Sequence, residues 1–102
     1  MKIEVLYFEG CPGFEELLPR LRAILHETSS RSEIELRRVE TPQAAEIERF
    51  LGSPTVRVNG RDVDPSAGGR DDYGFKCRLY RYKGGVSPVP PDDWIRAGLA
   101  EH

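Results

Sequence analysis

The side chains best suited to chemistry are the thiols of Cys11 and Cys77, the two cysteines of the chain. Cys11 stands between an apolar run and Pro12, and proline suits the first turn of a helix because its missing N–H is not needed there. The unpaired N–H groups at a helix start carry partial positive charge, which favours a thiolate. Glu15 and Glu16 would oppose that charge if their carboxylates came close. The pattern predicts an activated thiol at Cys11, with a small core residue at a strand end as the alternative.

Length and composition predict one globular domain, residues 1–102. The chain has 102 residues, of which 38% are apolar and 31% charged, enough for one modest core. Its formal net charge of -2 combines both signs, so neither a nucleic-acid-binding surface nor an acidic tail is expected. No apolar run approaches the roughly 20 residues that span a bilayer, and a charged strand stands where a signal peptide would be. These features predict a cytoplasmic protein without a membrane or nucleic-acid partner.

Cysteine and histidine usage limits the metal and disulfide chemistry. Two distant cysteines fit neither the disulfide framework of a small secreted domain nor the paired spacing of a structural zinc site. The histidines, His26 and His102, are too few for a histidine-rich metal centre. We therefore expect reduced thiols, and small molecules or other proteins as partners.

Apolar spacing predicts the elements that position Cys11. Residues 2–8 have the composition of a strand buried on both faces, and residues 12–26 carry apolar side chains at helical spacing. Alternation over residues 33–39 predicts a strand near a sheet edge. The unit is strand–helix–strand, which places the two strands in parallel.

The middle of the chain repeats this order. Thr41 and Pro42 are typical of a helix cap and a first helical residue, and the helix is predicted to continue to Gly52. A third strand follows at 53–58. The side chains of the helix that are expected to face inward are Ala44, Ile47, Phe50 and Leu51.

The last part of the chain predicts a reversal, a loop, a strand and a helix. Asn59-Gly60 is a strong signal for a tight turn, and residues 61–74 have the composition of a long surface loop. Residues 75–82 alternate and predict a fourth strand, and a helix opens at Pro91. Taken together, the predicted strands and helices give an α/β chain with the element order βαβαββα. The basic residues of this part are interpreted as a solvated surface: Arg61, Arg70, Lys76, Arg78, Arg81 and Lys83.

This order, with a cysteine after the first strand and Ser-Pro-Thr at the third, resembles the thioredoxin fold over residues 2–99. The resemblance implies a four-stranded mixed sheet of order 2-1-3-4 flanked by helices, with Cys11 as the nucleophile and Pro54 as a cis-proline beside it. Three segments also resemble small bacterial thioredoxin-like proteins labelled DF-family (seleno)proteins or alkylmercury-lyase-like proteins, which implies thiol redox chemistry. The segments are Phe-Glu-Gly-Cys-Pro-Gly-Phe, Leu-Gly-Ser-Pro-Thr-Val-Arg-Val-Asn-Gly and Tyr-Gly-Phe-Lys-Cys-Arg-Leu-Tyr.

The resemblance also implies a substrate-binding surface around Cys11. If Pro54 is cis, the backbone of Ser53 would be exposed and could pair with an extended substrate by added-strand hydrogen bonds. One position departs from the thioredoxin pattern, because Phe14 replaces the second cysteine of Cys-x-x-Cys and no local disulfide can form. The residues implied in substrate binding are Pro12, Gly13, Phe14, Ser53 and Pro54.

Cys77 has two interpretations. It could resolve a disulfide of Cys11, or bind a soft metal with it. In a fourth strand parallel to the first, however, Cys77 would lie ~15 Å from Cys11, whereas a disulfide needs Cα atoms within about 7 Å. A half-buried strand residue is therefore the favoured interpretation, unless residues 61–74 take another path.

The leading hypothesis is a thiol oxidoreductase in which Cys11 attacks a disulfide or a peroxide, and an external thiol such as glutathione resolves the intermediate. It needs no bound cofactor, but it needs an accessible Cys11 with Pro54 beside it. The alternatives are a non-catalytic protein-binding module that uses the Pro54 face or the 61–74 loop, and soft-metal binding of the mercury type by Cys11 and Cys77.

Overall fold

The computed structural model describes residues 1–28 and 32–100, so His102 lies outside the described residues. Helices and strands alternate in the first half, and two short hairpins follow. The elements are β1 (Ile3–Tyr7), α1 (Pro12–Glu27), β2 (Ile34–Arg38), α2 (Pro42–Ile47), β3 (Thr55–Val58), β4 (Arg61–Asp62), β5 (Tyr80–Tyr82), β6 (Gly85–Ser87) and α3 (Asp92–Ala100), with a short 3-10 turn at Ala67–Gly69.

The main sheet is mixed and has the order β2-β1-β3-β4. β1 pairs with β2 in parallel and with β3 antiparallel, and β3 pairs antiparallel with β4. Ile3, Val5 and Leu6 of β1 are fully buried, as expected of a strand with helices on both faces. The predicted α/β class, the order 2-1-3-4 and the edge position of β2 are confirmed.

The predicted fourth strand at 75–82 is wrong. Asn59 and Gly60 have φ angles of 53° and 81° and make a tight reversal, so the chain returns at once along β3 and β4 occupies that edge. Residues 75–79 are not a strand of the main sheet, and among the described strands β5 pairs only with β6. The segment 61–74, predicted to be a loop, therefore begins with the strand β4. The predicted element order βαβαββα omits the hairpin formed by β5 and β6.

Apolar side chains pack on both faces of the main sheet. The larger cluster joins β1 and β3 to α1 and α3, and the smaller one lies under α2. The larger cluster holds Ile3, Val5, Leu17, Leu21, Ile24, Leu25, Val56, Val58, Val63, Val89, Ile95 and Leu99, and the smaller holds Leu6, Val39, Ala45 and Phe50.

Helix α2 is shorter than predicted. Thr41 caps it as expected, since its side chain accepts a hydrogen bond from Ala44 N. The helix ends at Ile47 because Arg49 adopts φ 55° and the N–H of Phe50 donates to the carbonyl of Ala45, the pattern of a Schellman cap. This cap turns Phe50 into the core and leaves Ile47 82% exposed, so Ile47 is not the inward residue that was predicted.

Helix α3 begins with two carboxylates at its positively polarised end, as predicted. Its Trp94 makes edge contacts with Tyr80 and Tyr82, at ring-centroid distances of 6.3 Å and 5.6 Å. α3 thereby connects the second hairpin to the main core. Within the described ranges, no helix is long and apolar enough to cross a membrane.

Candidate functional site

Cys11 is the cap residue of α1. The chain leaves β1, turns at Gly10 with φ 85°, and enters the helix through Pro12. The Cys11 side chain makes no capping hydrogen bond with the helix. Its Sγ instead donates to the carbonyl of Ser53, 3.6 Å away. The Cys11 sulfur thus faces a carbonyl oxygen, and the residue is only 2% exposed.

The turn before β3 lies directly beside this thiol. The Ser53–Pro54 peptide bond is cis, and both residues are buried. Ser53 Oγ accepts a hydrogen bond of 3.2 Å from Phe8 N, which attaches the turn to the end of β1. The carbonyl of Pro54 accepts a hydrogen bond from the hydroxyl of Tyr80. The structure therefore places Cys11 and Pro54 together, one of the two requirements of the redox hypothesis.

The connector before α3 contacts the first turn of α1 at Gly13. A Cβ atom on Gly13 would lie 2.9 Å from the carbonyl oxygen of Pro88 and 3.0 Å from Cδ of Pro54. Only glycine fits between these two neighbours without a shift. The second requirement, an accessible Cys11, is not met in this conformation. The role of Pro88 was missed because a proline-rich connector gives no signal of where it packs.

The other predicted site residues are less central. Pro12 is exposed, whereas Phe14 is half-buried and stacks on Tyr7 with ring centroids 3.9 Å apart. The Phe14 ring contributes to the packing between β1 and α1. Its assigned part in substrate binding stays a prediction.

Cys77 lies next to Ser53 and not in a distant strand. Ser53 N donates to the carbonyl of Lys76 and Arg78 N donates to the carbonyl of Ser53, both at 2.9 Å, so Ser53 and Cys77 form a parallel bridge. The expected separation of ~15 Å depended on the wrong fourth strand and no longer holds. The expectation of an open Ser53 backbone is also wrong, because this segment occupies both of its polar groups.

Gly52 permits this close approach. Its φ is 127°, and a Cβ atom there would lie 2.8 Å from Cβ of Arg78. Cys77 is exposed to solvent. Two residues before it, the ring of Phe75 packs edge-on against the ring of Phe8, with ring centroids 5.1 Å apart. Cys77 is therefore an exposed thiol, not the half-buried one that was predicted.

A buried arginine holds the segment that carries Cys77. The Arg78 side chain is fully buried, contrary to its interpretation as solvated surface. It donates to Thr55 Oγ1 at 3.0 Å, to Asp62 Oδ2 at 2.8 Å and to Asp64 Oδ2 at 3.3 Å. Its guanidinium lies 4.4 Å from the ring centre of Tyr80. The segment is thus connected to β3, to β4 and to β5 through one side chain.

Burial and neighbouring charges shift the pKa values of Asp64, Arg78 and Tyr80. Burial disfavours the charged form of Asp64, but hydrogen bonds from Ser66 and the charge of Arg78 outweigh it and hold the pKa of Asp64 below its usual value. Burial also disfavours the Arg78 charge, yet the carboxylates of Asp62 and Asp64 raise the pKa of Arg78. Burial raises the pKa of the Tyr80 phenol. Arg78 therefore stays charged and Tyr80 neutral.

A cleft of about 440 Å³ opens beside Cys77. Its charged lining residues are Arg70, Lys76, Arg81, the buried Arg78 and Asp64. Asp72 accepts hydrogen bonds from Arg70 and Lys76, which hold its pKa well below the usual range. Within residues 1–28 and 32–100, the side chain of Arg81 makes no ion pair and no hydrogen bond. The cleft combines an exposed thiol with a partly compensated positive charge.

Residues 1–28 and 32–100 contain no cluster of three or more side chains that could hold a metal ion. Comparisons of the chain with protein-family models, with curated proteins and with solved structures return no match.

Proposed function

We propose that the protein is a thiol–disulfide oxidoreductase with a thioredoxin-like fold, and that Cys11 is its redox-active sulfur. The observation that carries the proposal is the position of this thiol at the start of α1, 3.6 Å from the carbonyl of Ser53 in the turn that contains Pro54. Two segments more than 40 residues apart meet around one sulfur. A thioredoxin-like site requires this meeting, and an ordinary core cysteine does not.

The chemistry uses the sulfur and the helix start. In the thiolate form, Cys11 would attack one sulfur of a disulfide, and the other sulfur would leave as a thiolate. The N–H groups of the first turn of α1 favour the negative charge. A second thiol then attacks the mixed disulfide and releases Cys11. Because Cys11 is 2% exposed, the reaction requires a movement that uncovers it or a second protein thiol that reaches it.

Replacement of the sulfur tests this proposal. The reduction of hydroxyethyl disulfide by excess glutathione is measured for the wild type and for Cys11→Ser. We expect catalysis above background in the wild type and a clear loss in the variant, because serine does not exchange with disulfides. The unfolding transition of the variant shows that it is folded. Equal catalysis by both proteins would contradict the proposal.

A non-catalytic protein-binding module is the second candidate function. The burial of Cys11 and its donated hydrogen bond favour it, since a buried thiol in apolar surroundings is usually inert. A module would show no exchange activity in the wild type and would bind its partner equally well after Cys11→Ser. The assay above therefore separates the two candidates.

A further inference from the structure

The two thiols differ in their access to solvent. Cys11 is 2% exposed and its Sγ contacts the carbonyl of Ser53, whereas Cys77 is exposed. A thiol exchanges with an external disulfide only when the two sulfurs can approach in line, so access limits the rate. In this conformation an external disulfide meets Cys77 first.

The two thiols also flank one residue. The carbonyl of Ser53 accepts from Cys11 Sγ on one side and from Arg78 N on the other, and Cys77 is the bridge partner of Ser53. Neighbouring strands lie about 4.8 Å apart, so Cys77 is one such spacing from the residue that Cys11 contacts. A disulfide between them needs Cα atoms within about 7 Å. Formation of the disulfide therefore requires the segments on the two sides of Ser53 to approach each other.

The cleft beside Cys77 indicates the charge of the substrate. Arg70, Lys76 and Arg81 are the cationic residues of its lining whose side chains are not fully buried, and Asp64 also lines it. Its volume of about 440 Å³ is in the range of small-molecule sites. Asp72 pairs with Arg70 and Lys76, and the buried Arg78 pairs with Asp62 and Asp64. The remaining positive charge lies at Arg81, which has no ion-pair partner in the described part of the chain. Clefts of one sign raise the local concentration of ligands of the opposite sign.

We infer that Cys77 is the thiol that attacks the substrate, that the substrate is a small anionic disulfide, and that Cys11 resolves the mixed disulfide. The inference rests on the thiol–disulfide exchange of the proposed function. It keeps Cys11 as a redox-active sulfur, but it assigns the first attack on the substrate to Cys77 and the resolving step to Cys11. The Cys77 thiolate attacks one substrate sulfur, the S–S bond breaks, and the first product leaves as a thiolate that takes up a proton. Cys11 then loses its proton to solvent and attacks the Cys77 sulfur, and the second product leaves in the same way. Two protein thiols are oxidised and one disulfide is reduced to two thiols.

Single turnover with oxidised glutathione tests the order of attack. The reduced protein is mixed with one equivalent, and the released glutathione and the protein mass are measured. We expect the wild type to release two glutathiones and lose two hydrogens. Cys11→Ser should release one and retain the other on Cys77, and Cys77→Ser should react at least about tenfold more slowly, since only the buried thiol remains.

The outcomes separate this inference from the proposed function. If Cys77→Ser reacts at the wild-type rate and carries glutathione on Cys11, the order of attack is overturned and the proposed function stands. If the wild type does not react, the proposed function itself fails. Brief alkylation of the wild type by iodoacetamide gives a check without substitution, because peptide masses should show Cys77 modified before Cys11. The reverse order would also overturn the inference.

Charge reversal tests the substrate class. Arg81→Glu should slow the reaction with oxidised glutathione about threefold or more at low salt, and the loss should shrink at high salt. The cationic disulfide cystamine should react no more slowly with this variant than with the wild type. Arg22→Glu, on the exposed face of α1, makes the same change in net charge and should leave both rates unchanged. Equal effects of the two variants would overturn the assignment of an anionic substrate.

Discussion

The α1 side of the Ser53 turn is held by apolar packing, whereas the segment that carries Cys77 is held by one buried arginine. On the first side, the packing energy is divided among several buried side chains of α1, including Leu17, Leu21 and Ile24. On the second side the backbone bonds to Ser53, and the Arg78 side chain supplies the polar side-chain connections to the sheet, to Thr55 and to two aspartates. Apolar contacts are many and individually weak, but removal of one partner leaves a buried ion uncompensated.

The two sides should therefore differ in how strongly their stability depends on pH, on salt and on single substitutions. The α1 side positions Cys11 by shape, so its stability should depend little on pH or salt. The Cys77 segment is positioned by charges, so a single change can release it. A two-thiol mechanism requires the two sides to approach each other, and the Cys77 segment is the side whose buried polar side-chain contacts are concentrated in one residue.

The largest effect is expected from Arg78→Met. The substitution leaves Asp62 and Asp64 partly buried without their cation, and we expect a loss of about 3–5 kcal/mol in the free energy of unfolding. Denaturant unfolding measures it. Arg81→Met removes an exposed arginine from the same stretch and should change stability by less than about 0.5 kcal/mol. Similar values for the two variants would show that the segment is not held by Arg78.

A smaller loss is expected from Gly13→Ala on the α1 side. The new methyl group would meet the Pro88 carbonyl at 2.9 Å, and overpacking of this kind costs about 1–3 kcal/mol. Gly68→Ala is the matched control, because nothing lies within 4 Å of a Cβ atom there. Thermal unfolding compares the two. A stabilised Gly13→Ala, as helix propensity alone predicts, would show that the Pro88 contact is loose.

The smallest effect is a pH dependence confined to the Cys77 side. The folded-state pKa of Asp64 is depressed, so its contribution to stability is complete above its unfolded value of about 3.9 and is lost as the pH falls through the folded value. The stability difference between the wild type and Arg78→Met should therefore narrow below about pH 4. The difference between the wild type and Leu21→Ala should stay constant over the same range. Parallel behaviour of both variants would remove the distinction between the two sides.

The sequence predicted the first half of the fold because its signals are long and periodic. β1, α1 and β2 each have a repeating apolar pattern, and Asn59-Gly60 marks the reversal after β3. The second half failed for a physical reason. β4 has two residues and carries no pattern, while the alternation at 75–82 suits any extended segment, whether or not it lies in the main sheet.

The site was predictable to the same extent. Cys11, Ser53 and Pro54 meet as the resemblance implied, although no property of the residues alone predicts that meeting. The position of Cys77 followed from the wrong strand. Arg78 was interpreted as surface because arginine is almost never fully buried unless it is paired, and its partners Asp62 and Asp64 come together only through the β3–β4 reversal.

Trp94, in edge contact with Tyr80 and Tyr82, is the single tryptophan of the chain. Tyr80 also donates to the carbonyl of Pro54, so the indole is two contacts away from the turn beside Cys11. Its emission wavelength depends on the polarity around the ring, which changes if the second hairpin shifts. The protein therefore carries an intrinsic optical reporter, and stopped-flow fluorescence can follow rearrangement around the thiols in real time without an attached dye.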